Sequence, residues 1–194
     1  MRRVVLFMVT SLDGFVSGPA GELDWENRDP EVGGFLIPEL LETADTMILG
    51  RTLFEGFAQF WPAVARDPAT PEGIGAFARW VDTAAKVVFS RTLDAVTWTN
   101  SRLVRADGDP AIRAAIGSMK EEPGGDIVLF GGVRFAQTCV RLGLVDEFRF
   151  KQQSIALGAG KPLFGEIAER KGLRLLRTKE FKCGVVAQYF EPLS

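Results

Sequence analysis

Histidine is absent from the 194 residues, and that absence removes much of the usual catalytic repertoire. It excludes Ser-His-Asp and Cys-His nucleophilic arrangements and the commonest metal ligand. Cysteine is scarce as well: Cys139 and Cys183 are the two in the chain, too few and too far apart for a disulfide framework or a zinc site. No metal is therefore expected. The remaining proton carriers are carboxylates, lysines, the single tyrosine Tyr189 and water. If the chain is an enzyme, a cofactor carries the hard chemistry.

Other absences narrow the class. No apolar run is long enough to cross a bilayer, and Met1–Thr10 lacks a signal-peptide pattern. The net charge of −2 offers no basic excess for nucleic acid. Neither membrane nor nucleic acid is expected as a partner, and a reducing, cytoplasmic setting fits the cysteine usage. There is no repeat, low-complexity segment or linker, so one domain spanning residues 1–194 is expected. No G-x-G-x-x-G follows the first apolar run, which disfavours an ordinary Rossmann domain.

What is present is an alternation of short apolar runs with helical patterns. Strands are expected at Val4–Thr10, Thr46–Leu49, Lys86–Ser90, Asp126–Phe130 and Glu147–Gln153, rich in Val, Ile, Leu and Phe as strands covered on both faces are. Helices are expected near Phe35–Ala44, Leu53–Trp61, Pro71–Ala84, Pro110–Lys120 and Val133–Leu142. Thr52-Leu-Phe-Glu55 reads as a capping box, and Thr70-Pro71 and Asp109-Pro110 as caps followed by an N1 proline. In the last helix Phe135, Cys139 and Leu142 mark the apolar stripe, with Arg134, Gln137 and Arg141 facing elsewhere. Leu173–Glu180 and Val185–Glu191 flank Phe181–Gly184 as a hairpin. The fold class is α/β: a central, mostly parallel sheet with helices on both faces and an antiparallel C-terminal hairpin.

In such sheets ligands bind beyond the carboxyl ends of the strands. Those ends carry Ser11-Leu-Asp13-Gly14, Gly50-Arg51-Thr52, Ser90-Arg91-Thr92 and Gly131-Gly132. Each could be an ordinary tight turn. Together, glycines, arginines, hydroxyls and helix N-termini make a rim suited to a phosphorylated dinucleotide. An arginine beside a serine, Ser90-Arg91, could receive the extra phosphate that distinguishes NADP from NAD. The glycine-rich loop Gly18–Trp25 carries Asp24 and Trp25; Trp25 either stacks on a flat ring as part of a flap or anchors the loop to the core. Phe54, Phe57, Phe60 and Trp61 read as core or partner interface.

The order of these motifs, with Val145-Asp146-Glu147-Phe148 and Leu157-Gly158-Ala-Gly160-Lys161-Pro162-Leu163-Phe164, resembles the dihydrofolate reductase-like superfamily. Within it, the pattern is most similar to the reductase domain of the riboflavin-biosynthesis deaminase-reductases and its stand-alone relatives, over nearly the whole chain. The resemblance implies NADPH as cofactor, with Gly50, Arg51, Thr52, Ser90 and Arg91 at its adenosine end. It implies a strained, often cis, Gly131-Gly132 peptide, with Val133, Arg134 and Phe135 receiving the pyrophosphate. Asp13 would lie near nicotinamide and substrate as the leading catalytic residue, Asp24 being second, and Trp25 and Lys151 would line the substrate side. The implied reaction is hydride transfer to a C=N or C=O of a small heterocyclic or ribosylamino-pyrimidine-like molecule.

Two departures bear on the substrate. Dihydrofolate reductases place a carboxylate on the first helix, where rough register puts Gly33 or Gly34, with Glu31 and Glu39 nearby. The strand Glu147–Gln153 runs into Lys151-Gln152-Gln153 where the family has a proline, which marks either altered specificity or an exposed sheet edge, the latter being the simpler reading. Alternatives from other classes are dihydrofolate reduction and a nucleotide-binding module without catalysis. The hairpin and the strand Glu147–Gln153 could support a homodimer.

Overall fold

The computed structural model describes residues 1–193. In chain order its elements are β1 (Val4–Thr10), α1 (Pro30–Thr43), β2 (Ala44–Gly50), α2 (Arg51–Arg66), α3 (Glu72–Thr83), β3 (Ala85–Phe89), β4 (Ser101–Val104), α4 (Gly108–Glu121), β5 (Asp126–Phe130), α5 (Val133–Arg141), β6 (Glu147–Gln152), β7 (Leu173–Glu180) and β8 (Val186–Pro192). The strands form one sheet in the order β4-β3-β2-β5-β1-β6-β8-β7. The first six run parallel, and β8 and β7 add antiparallel to β6.

The centre of the sheet explains its sequence. Every residue of β5 is buried, because helices cover both faces; its one polar residue, Asp126 at the strand start, is paired with Arg3. On one face, Leu40 of α1, Phe54 of α2 and Phe77 and Val81 of α3 pack on Met47, Leu49, Val88, Val128 and Phe130. On the other, Ile116 and Met119 of α4 and Ala136, Cys139 and Val140 of α5 pack on Leu6, Ile48, Val87, Ile127 and Leu129. Burial pushes the Cys139 thiol up to about 12, which leaves it inert.

Several local expectations are corrected. Helix α1 starts five residues earlier than expected, at Pro30: Asp29 accepts from the Glu31 amide at 2.8 Å and Pro30 supplies an N1 proline. Gly33, Gly34 and Pro38 masked that start. The capping box at Thr52 does not form, because α2 begins at Arg51 with Gly50 as its N-cap. The Thr70 hydroxyl donates to the Val64 carbonyl at 3.0 Å instead of capping α3. Asp109 lies inside the first turn of α4 and holds Arg141 through two bonds of 2.6 and 2.9 Å. In α5 the buried stripe is Ala136, Gln137, Cys139 and Val140; Gln137 faces inward because its amide donates to the Pro162 carbonyl at 2.7 Å. Strand β4 was not expected at all. Its four residues, none of them buried, are too few to give a periodic signal.

A buried lysine helps seat that edge. Lys86, fully buried, donates to the carbonyls of Asp82, Ala84 and Thr99 at 2.9, 2.9 and 3.0 Å, with its ammonium over the Trp98 ring. Burial pushes it down from 10.5 to about 8, Asp82 pulling the other way. Below that value native and unfolded chains both hold the proton. Between about 8 and 10.5 the unfolded chain holds a proton that the native one has released, so this group adds stability as pH rises through that window. Urea midpoints of wild type and Lys86→Met across the same range are expected to diverge in favour of wild type, and a constant difference would refute this.

Candidate active site

The carboxyl ends of β1 to β6 lie along one edge of the sheet, and the turns singled out in the sequence all sit there. Gly50 and Gly132 are neighbours in space: a Cβ on Gly132 would lie 4.0 Å from the Gly50 amide nitrogen, and one on Gly50 would lie 3.4 Å from Phe135 Cβ. These two turns open α2 and α5, and neither helix has a side-chain cap. The first amides of each helix are left without intrahelical partners. The Phe135 and Ala136 amides both turn back to the Gly132 carbonyl, leaving those of Val133 and Arg134 for a ligand. Gly131-Gly132 is a trans peptide, which corrects the cis expectation; both glycines instead have positive φ, +33° and +67°. That backbone lets the chain pass the Gly50 turn without a side chain between them.

At the neighbouring strand end, Ser90 Oγ accepts from the Thr92 and Leu93 amides at 3.2 and 3.1 Å. Arg105 braces the same turn through the Leu93 carbonyl at 2.7 Å. Arg91 is exposed and only loosely held, 3.3 Å from Asp107, so its guanidinium is free to meet an anion. Arg51, Thr52 and Arg134 are also exposed. The structure thus brings Gly50, Arg51, Thr52, Gly131, Gly132, Val133, Arg134 and Phe135 together, with Ser90 and Arg91 one strand further out. The stacking of Phe135 on Phe89, centroids 4.8 Å apart, ties α5 to the strand that precedes Ser90.

On the other side of the double glycine, Asp13 is committed. Its carboxylate accepts from Ser11 Oγ at 2.6 Å, from the Leu157 amide at 3.1 Å and from the Gly158 amide at 2.8 Å. These bonds, the Ser11 hydroxyl foremost, hold it down at about 2. It therefore stays ionised near neutrality, and it fastens the loop after β6 to the end of β1. Asp24 is exposed in a turn. Trp25 is half-buried, and its indole donates to the Glu22 carbonyl at 3.2 Å.

Lys151 overturns the exposed-edge reading. Strand β6 lies between β1 and β8, because the hairpin folds back onto it, and Lys151 is 8 % exposed. For the same reason β6 has no free edge for strand pairing with a second copy; β7 is the free edge on that side. Lys151 Nζ donates to Glu26 at 2.9 Å, and the next residue, Asn27, donates its amide to Gln153 at 2.8 Å. Glu26, Asn27 and Gln153 were missed in the sequence. A lysine inside Phe148-Arg-Phe-Lys151 was the available signal, since a buried ammonium demands a counter-charge.

The first helix does not offer a carboxylate to this region. Its sheet-facing residues are Val32, Leu36 and Leu40, all buried; Gly33 and Gly34 face away with open space around them. Glu39 bonds Tyr189 and Arg177 instead. Tyr189, 2 % exposed and pushed up by burial, is sequestered there.

The family model described as RibD C-terminal domain matches residues 2–187. The chain belongs to the RibD C-terminal domain family. Uncharacterized protein YyaP of Bacillus subtilis (strain 168) is 36% identical over 185 residues, covering 95% of this chain and 92% of that protein. A diaminohydroxyphosphoribosylaminopyrimidine deaminase/5-amino-6-(5-phosphoribosylamino)uracil reductase from Thermotoga maritima superposes with a TM-score of 0.69 at 13% identity, over 99% of this chain and 57% of that one. Dihydrofolate reductase from Enterococcus faecalis, complexed with NADP(H), superposes with a TM-score of 0.57 at 15% identity, over 99% and 97%. The RibD C-terminal domain fold is thus dihydrofolate reductase-like in this chain. Among the described residues no helix is long and apolar enough to cross a membrane, and no His/Cys/Asp/Glu group could hold a metal.

Proposed function

We propose that this RibD C-terminal domain protein is a cytoplasmic, NADPH-dependent oxidoreductase that reduces a C=N or C=O of a small heterocyclic or ribosylamino-pyrimidine-like substrate. The observation that carries the reading is the pair of uncapped helix N-termini, α2 and α5, opening side by side at Gly50 and Gly132. The residues fit a dinucleotide: glycine backbone allows close approach, and free amides with the positive helix ends favour phosphate. NADPH, when bound, would supply the hydride.

The chain's own residues would do the rest. Gly131, Gly132 and the amides of Val133 and Arg134 would hold the pyrophosphate, with Phe135 beside them closing the turn onto the Gly132 carbonyl, and Gly50, Arg51, Thr52, Ser90 and Arg91 would hold the adenosine end. Arg91, with little to hold it in place, would meet the phosphate on the ribose. Asp13 would act by shaping the substrate side through the Leu157-Gly158 loop, and Asp24, Trp25 and Lys151 would face the substrate. All these parts lie in one domain on this reading. The following proton would arrive through water, since Tyr189 is sequestered and histidine is absent.

Fluorescence titration with NADPH and NADH tests the reading. Binding of NADPH at sub-millimolar concentration is expected, with Arg91→Glu weakening NADPH by about tenfold and NADH much less. No NADPH binding in that range would remove it.

A further inference from the structure

Two buried cations share one face of β6, and they are balanced in different ways. Arg149 is paired within its own strand, its Nε donating to Glu147 at 2.6 Å, as residues two apart on a strand allow. Lys151 takes its counter-charge from a loop. Among the described residues Glu26 is the one hydrogen-bond partner of its ammonium, and the Glu26 side chain is itself only 17% exposed. The loop's other bonds are mostly internal: Gly18 to Glu22, Gly21 to Gly18 and Trp25 to Glu22. It is fastened to β6 and the residue that follows it by the Glu26 carboxylate on Lys151 and the Asn27 amide on Gln153, which is 2 % exposed.

A carboxylate on a glycine-rich loop is therefore seated on a sheet lysine that cannot stay unpaired. Lys151 pairs across with Val9 of β1, whose other neighbour is β5 with its double glycine. That is the substrate side of the carboxyl edge. When the loop lifts, the lysine presents an ammonium with all its donors to whatever enters.

We infer that Glu26 is a placeholder for a substrate carboxylate, so that the site under this loop selects carboxylate-bearing carbonyl or imine compounds. A carboxylate matches the place because one already occupies it. A phosphate dianion fits less well. Arg28 reaches the other Glu26 oxygen at 3.3 Å but travels on the same segment, so the site left on the sheet offers a single compact ammonium and the Gln153 amide, whereas phosphate favours the forked donors of arginine, and the nearby Arg149 is tied to Glu147. The assignment of substrate side rests on the proposed reductase reading, but the carboxylate site can be tested without it.

Fluorobenzoate and fluorobenzamide, followed by fluorine NMR, are suitable probes because they differ in charge and little in shape. Fluorobenzoate is expected to bind Glu26→Gln about tenfold more tightly than wild type, since its competitor has lost the charge. Fluorobenzamide should bind both proteins equally weakly. Lys151→Met should lose the preference for fluorobenzoate, while Lys151→Arg retains part of it. Equal binding of fluorobenzoate to wild type and Glu26→Gln, or none to either, overturns the inference. An NADPH titration of the same samples separates the two ideas. The expected pattern in a protein that does not bind NADPH supports the carboxylate site and removes the reductase reading, whereas NADPH binding with charge-blind probes does the reverse.

Discussion

Asp13→Ala frees the loop around Leu157 and Gly158 from the end of β1, and amide exchange at those two residues accelerates by about a hundredfold. The reason is that one exposed carboxylate satisfies both amides and is itself oriented by Ser11, which is fully buried. Asp13→Asn should fall between, since an amide oxygen still accepts from the loop but the amide nitrogen cannot accept from Ser11. The same bond set fixes the pH dependence. The Asp13 carboxyl is lowered from 3.8 to about 2, so its contribution is complete above about pH 4 and is lost as pH falls toward 2. In the reductase reading, turnover of a reducible substrate by Asp13→Ala also drops by about a hundredfold, because a loop displaced by an ångström misplaces the reacting groups. Unchanged exchange at Leu157 and Gly158 would show that the loop is held by its own packing.

The second large effect concerns Gly132, and a matched glycine just past the other end of α5 serves as its control. Gly132 begins α5 with φ +67°, and Gly143 follows its end with φ +66°. At Gly143 the Leu144 amide returns to Cys139 and the Gly143 amide to Val140, a Schellman closure that needs the left-handed conformation. An added Cβ meets nothing within 4 Å at Gly143 and only Leu53 and the Gly50 nitrogen, at 3.8 and 4.0 Å, at Gly132. Both alanine variants should therefore lose about 1 kcal/mol of stability from backbone strain alone, read as a shift in the urea midpoint. They should differ in cofactor binding. Gly132→Ala sets a methyl between the two helix N-termini and is expected to weaken NADP⁺ about a hundredfold, the loss of charge-assisted amide bonds to phosphate. Gly143→Ala should leave that affinity unchanged. Equal affinities would mean that the double glycine serves the turn and not a ligand.

Much of this fold is readable in the chain, for identifiable reasons. The runs Val4–Thr10 and Asp126–Phe130 are apolar on both faces and short, so they could only be central strands. Phe181–Gly184, between two strand-like segments, could only be a hairpin turn. Helix starts are less legible, because caps compete. Asp29 with Pro30 was hidden by the glycines behind it, and Asp109 was claimed by Arg141 from another helix. The rim of turns at Gly50, Ser90 and Gly131 was legible as well, since each follows directly on its strand. What no local pattern could tell is which turns touch: Gly50 and Gly132 are 82 residues apart in the chain and become neighbours because β2 and β5 pair.

The tertiary structure decided the charged half of the site. The sequence by itself determined an α/β sheet, a phosphate-suited rim and a chemistry without histidine, because strand and helix periodicity and residue inventory are local properties. It could not determine that Lys151 lies inside the sheet. That follows from the return of β8 onto β6, which buries the lysine and draws Glu26, 125 residues away, onto it. Nor could it assign Asp13, whose carboxylate becomes a fastener only when the Leu157-Gly158 backbone folds against it. Burial and counter-charge are properties of the assembled chain, because both depend on which distant segments exclude water from a group.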